Sequence, residues 1–557
     1  MGGKKGLKGA RFIAETLQGY GVTHVFYMEA MLRMAAVEME ALGIERVIAH
    51  SEKAAAYMAD GYARISGKPG ICMAQSVGAA NLAAGLQDPW LGISPVIALT
   101  GQKTPLYRDR NAYQEIPHRD FFSTVTKFNV EVNLPQQLPF MLRQAFREAT
   151  SGVPRPVHID LPDFKGRVIE SALIDSDPVV EEIYCSYPAF RPKAPADAIA
   201  RAGDAIARSK RPVIVAGGGA RISGAGGRIL HLARKAQIPV VTTTGGKGTI
   251  SETDSLWGGI VGIYSMKPAN QIAHHADLVI YIGSNTGDQS TFDWQVPQPG
   301  VNVIQIDLDP AELGRNYPNT IGLPGDATAI CGQLVDAVSE IRRPEWPEKA
   351  AGFLAMWDKE YENLLTSSEV PIRPERICRE LEKKLPENAV LVADTGYSAI
   401  WTATMMRLKP TQSYLRAAGS LGWALPAALG AKCGVPDRPV VCFCGDGGFY
   451  YHISELETAR RCRINTVTVV NNNNALSQGV DDIESVYAGK SGTPNSLYRF
   501  EPVNISRVAE GFGCIGIRVE HPEEIAPALV KALAADGPVV VEIMTDISAR
   551  TPAPWKP

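Results

Sequence analysis

The chain has 557 residues, 45% of them apolar and 21% charged, with a formal net charge of −3 at pH 7. That length exceeds what one core supports, and at ~100–200 residues per domain it predicts three or more domains. The near balance of 56 basic and 59 acidic residues leaves no basic footprint for nucleic acid, so the expected partners are small molecules or further copies of the chain.

At the N-terminus, "MGGKKGLKGARFIAETL" carries lysines but no continuous apolar core of a signal peptide. Gly6 stands where a myristoylation motif wants Ser or Thr. No stretch reaches the ~18 apolar residues of a membrane span, and a soluble, cytoplasmic protein is the expectation. The nine cysteines contain no CxxC pair, and Cys442 and Cys444, two apart in "VVCFCG", would share one face of a strand. Reduced, buried core cysteines are therefore expected rather than a redox or zinc site.

Short apolar runs alternate with helix-like segments along the whole chain, the pattern of parallel sheets covered by helices on both faces. Two proline-rich breaks, "CSYPAFRPKAPAD" (185–197) and "RRPEWPEKAAGF" (342–353), divide it. The predicted fold class is α/β, with three doubly wound domains over 1–185, 195–340 and 370–557. In the middle piece, "RPVIVAGGGARISGAGGRILHLARKAQIPVV" reads as strand, glycine turn, helix and strand. Its glycines do not form a clean G-x-G-x-x-G, so the turn is read either as a phosphate cradle or as a plain tight turn.

The most informative stretch is "RPVVCFCGDGGFYYHISELETARRCRINTVTVVNNNNAL". Val440 to Cys444 is a buried strand that breaks into a loop at Gly445. Ile453, Leu456 and Ala459 have helical spacing, and "INTVTVV" is a second strand running into four asparagines. A right-handed crossover makes the two strands parallel, so both loops emerge at the carboxyl edge where open α/β sheets bind ligands. Asp446 is thereby brought near Asn473, 27 positions later. A carboxylate, an amide oxygen and a backbone carbonyl suit Mg²⁺ or Ca²⁺, and Mg²⁺ completes its shell with water and phosphate oxygens. Gly445, Gly447 and Gly448 would let backbone N–H groups approach those phosphates.

With the GDG followed by the Asn472–Asn473 pair, the sequence resembles the thiamine diphosphate (ThDP) enzymes of the acetolactate synthase and pyruvate decarboxylase superfamily. The resemblance implies a ThDP-binding fold of pyrimidine, middle and diphosphate domains, with Asp446, Asn473 and the carbonyl of Ala475 holding Mg²⁺. "HSEKAAAYMADGYARISGKPG" resembles the segment with the cofactor-activating glutamate, here Glu52, which hydrogen-bonds the aminopyrimidine ring and favours its imino tautomer. "AAGSLGWALPAALGAK" resembles the pyrimidine-binding turn, in which Gly419 offers a carbonyl to the cofactor amine and Leu421 enforces the bent cofactor shape. "ADTGYSAIW" is similar to the diphosphate loop, with Tyr397 and Ser398 where acetolactate synthases commonly carry Gln and His. The resemblance spans essentially the whole chain and implies an obligate homodimer, commonly a tetramer, whose active sites combine residues of two subunits.

The reaction is less constrained. "RDRNAYQEIPHRD" resembles the acetolactate synthase segment whose glutamine, here Gln114, faces the reaction centre, and Tyr113 and His118 are pocket candidates. Three features depart from that pattern. Glu29 and Met31 stand in "MEAMLRM" where a glycine-rich pocket turn is usual, and "SVGAAN" is a residue short while keeping Asn81 as a cofactor contact. Asn285 stands where flavin-binding members tend to carry Arg, so FAD is not expected. The leading expectation is a lyase or carboligase (a decarboxylase or transferase) acting beside the carbonyl of a 2-oxo acid, aldehyde or acyloin, outside standard acetolactate synthesis. A 2-hydroxyacyl-CoA lyase with an acyl-CoA substrate is the second reading, and a non-catalytic regulatory paralogue the third.

Overall fold

The computed structural model describes residues 6–29, 31–164 and 167–557; the expectation about a leader or lipid signal falls largely on residues 1–5, outside them. Three six-stranded sheets follow one another along the chain, every neighbouring pair of strands parallel. Their strands are near-continuous apolar runs such as "LVIYI" (Leu278–Ile282) and "VVVEIM" (Val539–Met544), buried along almost their whole length. Sheets covered by helices on both faces require such runs, because no strand face meets water.

The first sheet orders its strands Glu45–Ile48, His24–Tyr27, Gly70–Gln75, Val96–Lys103, Val157–Phe164 and Phe128–Glu131. The third orders them Ser413–Arg416, Val390–Ala393, Val440–Gly445, Val467–Asn472, Val539–Met544 and Ile515–Val519. Numbered in chain order within each sheet, both read 2-1-3-4-6-5, whereas the middle sheet reads 3-2-1-4-5-6, the strand order of dinucleotide-binding folds.

The first and third domains of the chain meet through the helices Glu52–Ser66 and Ala424–Gly434, which approach to backbone contact. A Cβ on Gly61 would lie 2.0 Å from the Ala427 carbonyl oxygen, and one on Gly430 1.8 Å from that of Met58. The middle domain docks on the third through Lys247, fully buried, whose Nζ donates to Glu252 (2.6 Å) and to the carbonyls of Met406 (2.7 Å) and Ala403 (3.2 Å). Among the described residues no helix is long and apolar enough to cross a membrane.

Two expectations are corrected in detail. The nine cysteines are all free, but Cys185 and Cys462 are only half-buried. The strand expected to end before the asparagines extends through Asn472, because Asn471 and Asn472 still pair with Ile543 and Met544 of the neighbouring strand. In the middle domain, close backbone crossing accounts for part of the glycine run. A Cβ on Gly217 would sit 2.3 Å from the Gly283 carbonyl oxygen and one on Gly219 2.9 Å from its Cα.

Candidate functional site

At the carboxyl edge of the third sheet lies a cavity of about 360 Å³ lined by Thr395–Ser398, Leu421, Gly445–Gly448, Asn471, Asn473 and Ala475–Gly479, among others. Strand Val440–Gly445 ends there and Asp446 opens the short helix Asp446–Tyr450. The glycines are spatial requirements: a Cβ on Gly447 would fall 2.5 Å from Leu476, and one on Gly448 3.2 Å from the Asp394 carboxylate. Gly396, with φ +71°, turns the chain into the helix Tyr397–Met405, whose first turn, Tyr397 and the buried Ser398, faces the cavity.

Asp446 is 2% exposed, and burial pushes its pKa up to about 7. Its Oδ2 accepts the Ala475 N–H at 3.0 Å. Asn473 donates from Nδ2 to Ser477 Oγ at 3.1 Å, while its Oδ1 is buried with no hydrogen-bond partner. An unsatisfied buried oxygen costs about 1–3 kcal/mol, and a cation offsets both that cost and the burial of the carboxylate. The donor set of Asp446, Asn473 and the Ala475 carbonyl therefore fits a hard divalent ion. Asn472, by contrast, is fully engaged: Nδ2 donates to Glu542 (2.8 Å) and Oδ1 accepts the Asn474 N–H (3.1 Å). Glu542, 0% exposed, also accepts from Ser506 N–H (3.0 Å) and Arg518 (3.1 Å). Among the described residues no group of three His, Cys, Asp or Glu side chains could hold a metal, which leaves this mixed oxygen set as the cation candidate.

The turn 417–423 stands between this cavity and a larger one, about 530 Å³, that Gly419 lines where the three domains meet. Two buried carboxylates hold the turn. Asp394, pushed up to about 6 by burial, accepts the N–H groups of Gly422 (3.0 Å) and Ala424 (3.1 Å). Asp88, on a helix of the first domain, accepts those of Ala418 (2.9 Å), Ser420 (3.0 Å) and Gly419 (3.2 Å).

The first-domain candidates gather at the carboxyl edge of their own sheet, outside the 360 Å³ cavity, whose lining runs from Thr395 to Tyr498. Glu52 opens the helix Glu52–Ser66 behind the cap Ser51 and accepts from Asn81 Nδ2 at 3.2 Å. Gly78 makes room for it, since a Cβ there would lie 2.3 Å from Glu52 Oε1. Gln114, at φ +63°, is anchored by its carbonyl, which accepts the Ser76 hydroxyl, and its Nε2 reaches the Tyr113 hydroxyl at 3.3 Å. Tyr113 is 67% exposed, and Glu29 is an exposed residue paired with Arg33. Met31 is buried, with Sδ 3.3 Å from where a Gly101 Cβ would stand. His118 lies inside the domain with both nitrogens engaged, Nδ1 with Asp160 (3.0 Å) and Nε2 with the Ser76 carbonyl (2.9 Å). In this arrangement it is a brace for the Ser76 turn.

Three family models match the chain in order: "Thiamine pyrophosphate enzyme, N-terminal TPP binding domain" over 7–123, "central domain" over 199–334 and "C-terminal TPP binding domain" over 394–543. A probable acetolactate synthase large subunit of Methanocaldococcus jannaschii is 33% identical over 98% of this chain and 93% of its own length. The chain belongs to the thiamine pyrophosphate enzymes. The acetolactate synthase isozyme 1 large subunit of Escherichia coli is 30% identical over 98% of this chain and 95% of its own length. A putative thiamine pyrophosphate-containing protein of Bacillus subtilis, YdaP, is 28% identical over 98% and 92%. Within the family the chain is acetolactate-synthase-like from end to end, and its first and third domains are the thiamine-pyrophosphate-binding pair.

For a thiamine pyrophosphate enzyme, the residues that sequence reasoning missed are those that hold the named ones in place: Asp88 and Asp394 on the turn, Glu542 behind Asn472, and Gly78 beside Glu52. Asp394 stands inside the quoted "ADTGYSAIW", where an acid at a strand end was a usable signal. Asp88 and Glu542 had none, because they lie 332 and 70 positions from the groups they serve.

Proposed function

We propose that the protein is a ThDP- and Mg²⁺-dependent lyase or carboligase that breaks or makes a C–C bond beside the carbonyl of a 2-oxo acid. The observation that carries this is the buried Asp446 carboxylate beside the partnerless amide oxygen of Asn473, both on the 360 Å³ cavity of a thiamine-pyrophosphate-binding domain. Relatives named acetolactate synthase support a 2-oxo acid as substrate.

ThDP supplies the carbanion-stabilising chemistry when bound, and the protein's part is to hold, orient and exclude. Asp446, Asn473 and the Ala475 carbonyl would carry Mg²⁺, while Gly445, Gly447, Gly448, Tyr397 and Ser398 would receive the diphosphate. Gly419 would offer a carbonyl to the amine end, and Leu421, on the cavity wall, would pack against the cofactor. Glu52 would hold a proton at the cofactor ring, with Asn81 orienting its carboxylate. Glu52 lies outside the lining of the 360 Å³ cavity, and in this reading a second copy would supply it, with a homodimer as the working unit. Gln114, Tyr113, Glu29 and Met31 would border the place where substrate enters.

The test supplies ThDP and Mg²⁺ with a series of short 2-oxo acids and follows CO₂ release and acyloin formation. Turnover is expected for the wild type and, for Glu52→Gln, a loss of at least about 100-fold, within the range for a proton-transfer group. No consumption of any 2-oxo acid, or an unimpaired Glu52→Gln enzyme, would sink the assignment.

A further inference from the structure

The carboxylate of Asp88 spends nearly all its acceptor capacity on one turn of another domain. Oδ1 accepts the Ala418 N–H (2.9 Å) and Arg64 Nη2 (2.9 Å), and Oδ2 accepts the N–H groups of Ser420 (3.0 Å), Ala418 (3.1 Å) and Gly419 (3.2 Å). The side chain is 0% exposed. Arg64, also buried, ties it to Asp60 through a two-pronged bond (2.8 and 2.6 Å) and donates to the Arg416 carbonyl (2.8 Å) just before the turn. Asp60 in turn accepts Trp423 Nε1 (2.9 Å) at its end. The turn is thus gripped at its start, middle and end by one network rooted on two helices of the first domain, Glu52–Ser66 and Gly78–Leu91.

This grip has a directional consequence. In a planar trans peptide the carbonyl points opposite to the N–H of the next residue, and the Gly419–Ser420 bond is trans. With the Ser420 N–H drawn to Asp88, the Gly419 carbonyl must face away from it. A Cβ on Gly419 would meet nothing within 4 Å, and two residues on, Leu421 lines the 360 Å³ cavity beside Asp446. We infer that Asp88, held by Arg64 and Asp60, is a positioning residue for the cofactor, aiming the Gly419 carbonyl at the pyrimidine amine before any cofactor arrives. The inference rests on the ThDP reading above. It assigns the first domain a second task, since the domain that carries Glu52 for one site also sets the pyrimidine turn of its own chain's third domain for the other.

Asp88→Asn keeps the shape but turns an amide donor toward the turn's own donors or toward Arg64. Two probes separate positioning from general damage: Mg²⁺ with ThDP, and Mg²⁺ with inorganic diphosphate, which needs only the cavity at Asp446. For Asp88→Asn, ThDP affinity is expected to fall roughly 10- to 100-fold, the range for a charge-assisted buried bond, with diphosphate affinity unchanged. Equal loss of both ligands would show a merely structural role, and loss of neither would remove the role altogether; each overturns the inference. A wild-type protein that binds diphosphate but not ThDP would overturn the cofactor reading and this inference with it. A measurement on the unmutated protein covers a variant that fails to fold. By hydrogen exchange, the amides of residues 418–420 should be slow without cofactor, and fast exchange that slows only when ThDP is added would show that the cofactor, not Asp88, orders the turn.

Discussion

The first and third sheets thread their six strands in the same order, and their functional residues occupy matching places. After the second strand in chain order comes Glu52 in one sheet and the Gly419–Leu421 turn in the other. After the third come the Ser76–Gly78 turn and Asp446. After the fourth come the loop with Gln114 and the loop with Asn473. The chemistry at those places is opposite in kind. In the third domain the polar groups are buried and fixed by partners, as with Asp446, Asn472 and Asp394. In the first, Tyr113 and Glu29 are exposed, and Gln114 is held by the Ser76 hydroxyl on its carbonyl and by side-chain contacts with Gln75 and the exposed Tyr113. A shared sheet topology places a loop at the ligand edge; whether that loop is preset or adaptable depends on what is buried behind it.

Gly78 offers the most severe way to break this contrast, because it packs directly against the Glu52 carboxylate. Gly78→Ala would drive a methyl to 2.3 Å from Glu52 Oε1, and relieving that clash by moving the carboxylate about 1 Å is expected to cost about 100-fold in turnover. ThDP affinity should stay within about threefold, since no metal donor moves, as titration calorimetry beside steady-state kinetics would show. Equal losses in affinity and turnover would mean that the two edges are not separable.

A smaller effect sharpens the contrast inside the third domain. Asn473→Ala removes one neutral metal donor and is expected to weaken Mg²⁺ binding roughly tenfold, or about 1.4 kcal/mol, leaving the melting temperature of the metal-free protein unchanged or raised because a partnerless buried oxygen is gone. Asn472→Ala should do the reverse. It breaks the bonds to Glu542 and to the Asn474 N–H, lowering stability by about 2 kcal/mol. Mg²⁺ titrations and thermal melts of both variants distinguish the two neighbours, and an exchange of their phenotypes would move the metal donor by one residue.

The same contrast explains what could be read from sequence. The thiamine pyrophosphate family was legible because Asp446 and Asn473 sit on one βαβ unit, where their spacing and the glycine needed beside Leu476 are local facts. Parallel sheets followed from apolar runs alternating with helical ones. The supports were hidden, since Asp88 and Glu542 acquire meaning only when distant strands and helices meet. His118, a pocket candidate of a kind that is more often structural, has both nitrogens occupied inside the fold by Asp160 and the Ser76 carbonyl. The substrate was illegible because exposed loops take their selectivity from what a ligand places against them.

Glu29 tests that last point with the smallest expected effect. Its carboxyl is held below the ordinary range by Arg33, four residues on along the same exposed surface. Exposed pairs of this kind are worth about 0–1 kcal/mol, so Glu29→Gln should leave the melting temperature and ThDP affinity unaltered. If Glu29 faces substrate, the change will appear as a shift in KM of about fivefold or less, uneven across 2-oxo acids of different size or charge, because an exposed charge contributes no more than about 1 kcal/mol. A uniform fall in turnover for every substrate would instead place Glu29 among the groups that support Glu52, and the exposed edge would then be as preset as the buried one.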